Sequence, residues 1–148
     1  MFSDILISLD VEHCDNLLSG IKTVEVRRRR PRIGPGTRVW IYSKIPRAAI
    51  DAVAVVSEVR EGSAESLWRR YSKEVAISRS RFNRYLMGAK TGCAIKFSSV
   101  DALQSALPLS ELRREVQGFH PPQFFKQLDT EDKARQLLRL LDPRSFKK

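Results

Sequence analysis

Gly20 to Arg32 reads GIKTVEVRRRRPR. These thirteen residues hold one lysine, one glutamate set between two valines, and five arginines. Val24 and Val26 fall on one face of an alternating pattern, with Thr23, Glu25, Arg27 and Arg29 on the other, as in a half-buried strand. Pro31 and the Gly-Pro-Gly at 34–36 end it. The open question is whether these charges grip a ligand or decorate a solvated edge.

On the N-terminal side, DILISLD (Asp4 to Asp10) reads as a short apolar strand. VEHCDNLLSG after it sets Val11, Cys14, Leu17 and Leu18 on one helical face before a glycine stop. On the C-terminal side, TRVWIYSK alternates again, with Val39, Ile41 and Ser43 opposite Arg38, Trp40, Tyr42 and Lys44. AAIDAVAVVSEV (Ala48 to Val59) is rich in β-branched residues and reads as the central strand. Two helices follow, one opening at Ser63 with a capping-box-like glutamate and one running from Ser78 to a stop at Gly88. TGCAIKFSSV (Thr91 to Val100) returns to strand periodicity, and PLSELRREV, PPQFFKQL and TEDKARQLLRLL complete the chain. The last is an amphipathic helix with Ala134, Leu137, Leu138 and Leu141 on its apolar side. Several strands beside few, short helices predict an α+β protein built on a small curled sheet or barrel with appended helices.

The 148 residues suit one domain with its own core, and an apolar share of 42% is ordinary for a globular chain. Lysine and arginine total 27 against 17 acidic residues, a formal charge of +10, which points to a polyanionic partner. No apolar run approaches a spanning helix and MFSDILISLD lacks the pattern of a signal peptide, so a cytoplasmic protein without membrane association is expected. Cys14 and Cys93 lack a CxxC partner, and His13 and His120 lack metal-binding spacing, so neither a metal nor another cofactor is expected.

Gly20, Lys22, Glu25 and Arg27 match the GxKxxExR signature, and on these residues the chain resembles the ASCH domain family, a relative of the PUA domain. The strand ending WIYSKIP resembles the family's tyrosine-to-proline strand end. FNRYLMG followed by GCAIKF resembles its next helix and strand, and PPQFF a late Pro-Pro-Gln segment of some members. The likeness spans roughly Ile5 to Leu128. A 1–128 ASCH domain is therefore expected, with 129–148 as a C-terminal amphipathic helix and basic tail. The resemblance implies a pseudo-β-barrel with flanking helices and a cleft into which the signature residues point. It also implies a role in RNA metabolism, as RNA binding or as hydrolysis.

Glu25 and Arg27 emerge on one strand face about 7 Å apart, close enough to pair with each other or to bracket a ligand. An arginine fork matches a phosphate, and a carboxylate accepts from a sugar hydroxyl or base amino group. Lys22 has the opposite parity and reaches the same cleft only through a turn or bulge. Arg28, Arg29, Arg30 and Arg32 extend the positive charge along a loop, either to phosphates or as an edge that discourages strand pairing. Trp40 and Tyr42, interleaved with Arg38 and Lys44, read as stacking platforms for single-stranded nucleic acid or as residues packed against a helix. Arg79, Arg81 and Arg84 beside Phe82 and Tyr85 give either a second basic wall or an ordinary helix.

RNA, single-stranded or structured, is the expected partner, with DNA as the alternative. Metal-independent cleavage needs a base, an acid and cations, which Glu25, Lys22 and Arg27 supply; the same residues suffice for binding alone. A hydrolase or sensor of a modified nucleoside such as N4-acetylcytidine is a further alternative. In one bacterial enzyme type of the family the signature strand looks like it carries a threonine nucleophile where this chain has Glu25; a carboxylate does not replace that hydroxyl simply, and Thr23 is two residues away. A protein adaptor using the C-terminal helix is the weakest reading.

Overall fold

The computed structural model describes residues 3–146; Met1, Phe2 and the tail lysines Lys147 and Lys148 lie outside the described residues. The order is β1 (Asp4–Leu9), α1 (Val11–Ser19), β2 (Val24–Arg27), β3 (Arg38–Ser43), β4 (Ala49–Gly62), α2 (Ala64–Tyr71) and α3 (Arg79–Leu86). Then come β5 (Gly92–Pro108), α4 (Leu109–Glu115), β6 (Phe125–Leu128), α5 (Lys133–Leu141) and a 3-10 turn at Pro143–Phe146. Among the described residues the strands form one sheet in the order β2-β5-β4-β3-β1-β6. β1 and β3 run parallel and every other pair is antiparallel.

β4 and β5 are long enough to serve both halves of the sheet, and three register shifts between them let the pair bend. The curled surface is the expected pseudo-barrel. Its inner face gathers Ile5, Ile7, Val39, Ile41, Ala52 and Ile95, and α1 seals this core with Cys14 and Leu17. Gly20 ends α1 in the left-handed region at φ 85, where a glycine carries no Cβ penalty, and its N–H caps Leu17. Val24, Val26 and Ala94 face the other way, against Leu67 of α2 and Phe82 and Leu86 of α3. Ser63 and Ser78 cap these helices by accepting from the Ser66 and Arg81 N–H groups. The partner at the third helical position is Ser66, which returns a bond to the Ser63 carbonyl; Glu65 instead pairs with Arg69 and Arg79.

The even-numbered face of β3 departs from the stacking expectation. Trp40 is 0% exposed and Tyr42 is buried, both packed with Leu6, Val53, Leu112 and Leu138 beneath α4 and α5. They are core aromatics, because the apolar stripe of α5 needs an apolar sheet face to cover. Asp4, also buried, fixes that helix: it accepts from Trp40 Nε1 at 3.0 Å and Arg139 Nη2 at 2.9 Å, with Arg135 at 3.4 Å. Asp4→Asn is expected to cost about 2 kcal/mol, since charge-assisted bonds are lost and buried donors stay. Urea unfolding measures it, and an unchanged midpoint would refute this role for Asp4.

Candidate functional site

Lys22 sits in the crossing between α1 and β2, ahead of the strand, so strand parity does not govern it. Its N–H bonds to the Asn16 carbonyl, while the N–H groups of Thr23 and Val24 both bond to Glu74 O. This anchoring turns the Lys22 side chain under the strand. At 2% exposure, its Nζ lies 2.6 Å from Val75 O and 3.3 Å from Glu25 Oε1. Ala76, next to that carbonyl, holds a positive φ of 54. Arg27 Nη1 meets the other Glu25 oxygen at 3.3 Å, and Arg27 Nη2 donates to Phe124 O at 2.7 Å. The signature residues thus converge: one carboxylate, 6% exposed, clamps two cations.

Burial pushes the Glu25 carboxyl up, but Lys22 and then Arg27 outweigh it and hold the group below the ordinary value of 4.5. A carboxylate held this way is a weak proton acceptor and a good positioner. Thr23 shares no space with it: its hydroxyl donates to Glu74 and it faces a separate hollow beside Phe97. The expected common face of Thr23 and Glu25 is therefore absent, because Thr23 precedes the regular strand.

The cluster opens into a cleft of about 370 Å³ between the end of β1, α1 and α3. Arg81, Arg84 and Tyr85 line one wall at helical spacing, while Phe82 and Leu86 of the same helix enter the core. Arg81 is bound bidentately by Glu12, whereas Arg84 has no ion-pair partner among the described residues. His13 lines the opposite wall, its Nδ1 buried without a hydrogen-bond partner. Burial, only partly offset by Glu25, holds His13 below the ordinary 6.5, so the imidazole is neutral at pH 7. Burial pushes the Tyr85 phenol above its ordinary 10.0, leaving it a proton donor. Neither histidine had metal-binding spacing in sequence, and the signal for His13 is tertiary: α1 lies over the signature strand. Among the described residues no three His, Cys, Asp or Glu side chains gather as a metal site.

A second hollow, about 570 Å³, shares Ser8, Arg27, Lys44 and Tyr85 with the first, so the two form one groove. Arg28 and Arg29 line it, and Arg28 Nη1 donates to the Tyr85 and Met87 carbonyls at the end of α3. Of the expected cations, Lys22, Arg27, Arg28, Arg29, Lys44 and Arg81 line the groove. Arg30 pairs with exposed Glu61 outside it, and Arg32 is exposed but lines neither hollow. Arg79 turns to Glu65 and the Trp68 ring. Arg38 lies at the far end of α5 against Asp142, a fully buried carboxylate that Arg144 also binds. Burial pushes Asp142 up, and the Arg144 bonds more than reverse this, holding it below 3.8. Cys14 and Cys93 are buried, free thiols, and burial pushes Cys14 up to about 12. No helix among the described residues is long and apolar enough to cross a membrane.

No family model matches the chain. A curated protein of Zymomonas mobilis, an ASCH domain-containing ribonuclease, is 30% identical over 129 residues, covering 87% of this chain and 86% of the relative. The crystal structure of ASCH from Zymomonas mobilis superposes with a TM-score of 0.85 at 29% identity, over 93% of this chain and 95% of that one. The N-terminal domain of Thermococcus gammatolerans McrB bound to m5C DNA shares the fold alone, with a TM-score of 0.54 and 12% identity over 99% of both chains.

Proposed function

Since the chain belongs to the ASCH domain family, we propose that it binds RNA in the basic groove and cleaves the strand there. The observation that carries this reading is the buried Lys22–Glu25–Arg27 cluster opening between a neutral imidazole and a protonated phenol. A ribonuclease name on a relative covering most of the chain supports it. With RNA as its substrate the protein acts in the cytoplasm.

The groove cations attract and align the phosphates. Arg27 faces the reacting phosphate with Lys22 behind it, and both oppose the charge that grows on the phosphorane. His13 takes the proton of the 2′-hydroxyl as that oxygen bonds to phosphorus. The bond from phosphorus to the 5′-oxygen breaks, and Tyr85 gives the leaving oxygen its proton. The products are a 2′,3′-cyclic phosphate and a 5′-hydroxyl. Glu25 is a positioning residue that keeps both cations aimed.

The test incubates end-labelled single-stranded RNA and matched DNA with the protein in EDTA, scoring both cleavage and gel shifts. RNA is expected to be cut with a cyclic phosphate terminus and DNA to remain whole, because DNA lacks the internal nucleophile. Binding weakens with salt; a strand engaging about four groove cations gives a log–log slope of about −3. A salt-sensitive shift with intact RNA would leave a binding groove without turnover. Cut DNA would overturn the 2′-hydroxyl route. Binding of an acylated nucleoside with little salt dependence, and no binding of RNA, would move the protein to modified nucleosides.

A further inference from the structure

The second hollow has a feature that phosphate binding does not use. Phe124 is 52% exposed at its rim, and the Arg29 guanidinium lies 5.7 Å from the ring centroid. Exposed aromatic rings flanked by cations are the stacking platforms of single-stranded nucleic acid binders, and every base offers a π-face to them. The backbone of Phe124 is anchored: Arg27 Nη2 donates to its carbonyl, which seats the residue beside the guanidinium that faces the reacting phosphate. Ser8 secures the same segment by donating to Pro122 O at 2.6 Å. Gln123 and Thr91 stand in the same hollow with amide and hydroxyl groups suited to a base edge. Its volume of about 570 Å³ lies within the range of small-molecule pockets and accommodates a nucleotide.

We infer that the hollow around Phe124 and Arg29 is a subsite for one unpaired base of the RNA strand, next to the phosphate held by Arg27. This rests on the RNA reading above and adds to it. A base in the hollow stacks on Phe124, its phosphate lies toward Arg27, and duplex RNA is excluded because its bases are not free to turn in. The platform role that Trp40 and Tyr42 cannot fill belongs on this reading to Phe124.

The test uses a short 2′-fluoro RNA, which lacks the attacking hydroxyl and stays intact, together with versions in which one base at a time is removed. For the native protein, one abasic position is expected to weaken binding about 10- to 100-fold, the loss typical of one stacked base. Phe124→Ala is expected to weaken the full strand by a similar factor and to erase the difference between full and abasic strands. Phe124→Trp is expected to keep that difference. The ring is solvent-exposed, so an unchanged melting temperature of Phe124→Ala establishes that the variant is folded. RNA binding in which no single base matters, or in which Phe124→Ala leaves the abasic penalty intact, would overturn the subsite and leave the RNA reading standing. Absence of any RNA binding by the native protein would overturn both.

Discussion

Glu25→Gln lowers the free energy of unfolding by about 3–5 kcal/mol, the usual cost of removing one partner from a buried ion cluster. The size of the side chain is kept, so no cavity contributes. What changes is that Lys22, 2% exposed, keeps its charge with only neutral acceptors to face, and Arg27 loses the carboxylate at one of its two anchors. Lys22→Met in the same chain removes the stranded charge, and the double variant recovers much of the stability. Urea unfolding of the single and double variants reads this directly. A loss below about 1 kcal/mol for Glu25→Gln would show that the carboxylate does not hold the cations. Cleavage falls in this variant as well, because Arg27 is held by one anchor instead of two, so lost activity alone does not identify Glu25 as a base.

His13→Ala lowers the cleavage rate about 10²- to 10⁴-fold, the range of general acid–base catalysis, while stability changes by no more than about 1 kcal/mol. The imidazole Nδ1 makes no hydrogen bond for the substitution to break. Added imidazole restores part of the rate if the missing group is a base, and restores none if His13 merely fills space. The pH profile is a second readout. The neutral form works, and burial holds the group below 6.5, so the rate climbs with pH to a half-point under 6.5 and then levels. The alkaline limb belongs to Tyr85 and lies above 10.0. Protonation of the ion-paired carboxylates does not produce the acid limb. Glu25 and Asp142 are held below their ordinary 4.5 and 3.8, so the stability they contribute is present above those values and lost only as pH falls beneath them. An acid limb that survives in His13→Ala would assign the base to another group.

Much of the architecture is written locally in the chain. The alternation around Glu25, the Gly20 stop and the serines at 63 and 78 each specify one element, and each element forms there. β5 runs eight residues past its expected end at Val100, to Pro108, because DALQSALP has little strand propensity of its own and is held by its pairing with Ala49 to Val53. Alternation in β3 separates two faces correctly, yet it does not say that both are covered; the apolar stripe of α5 was the signal for that. Lys22, Glu25 and Arg27 could be named from one short segment. The basic face of α3 with Arg81, Arg84 and Tyr85 is legible as a candidate wall, whereas His13 and Phe124 join the site only through packing of α1 and the segment before β6, which no spacing in sequence encodes.

The pairing of β6 with β1 has a consequence for the life of the chain. Residues 122–125 supply the far wall of the groove and the carbonyl that anchors Arg27, and they are synthesised after the other residues that line it. A nascent chain emerging from the ribosome has every other part of the groove before it has this wall. Until β6 docks, Arg27 lacks its second anchor and the second hollow lacks a side. The order of translation thus leaves the groove one-sided until the segment before β6 has emerged and docked.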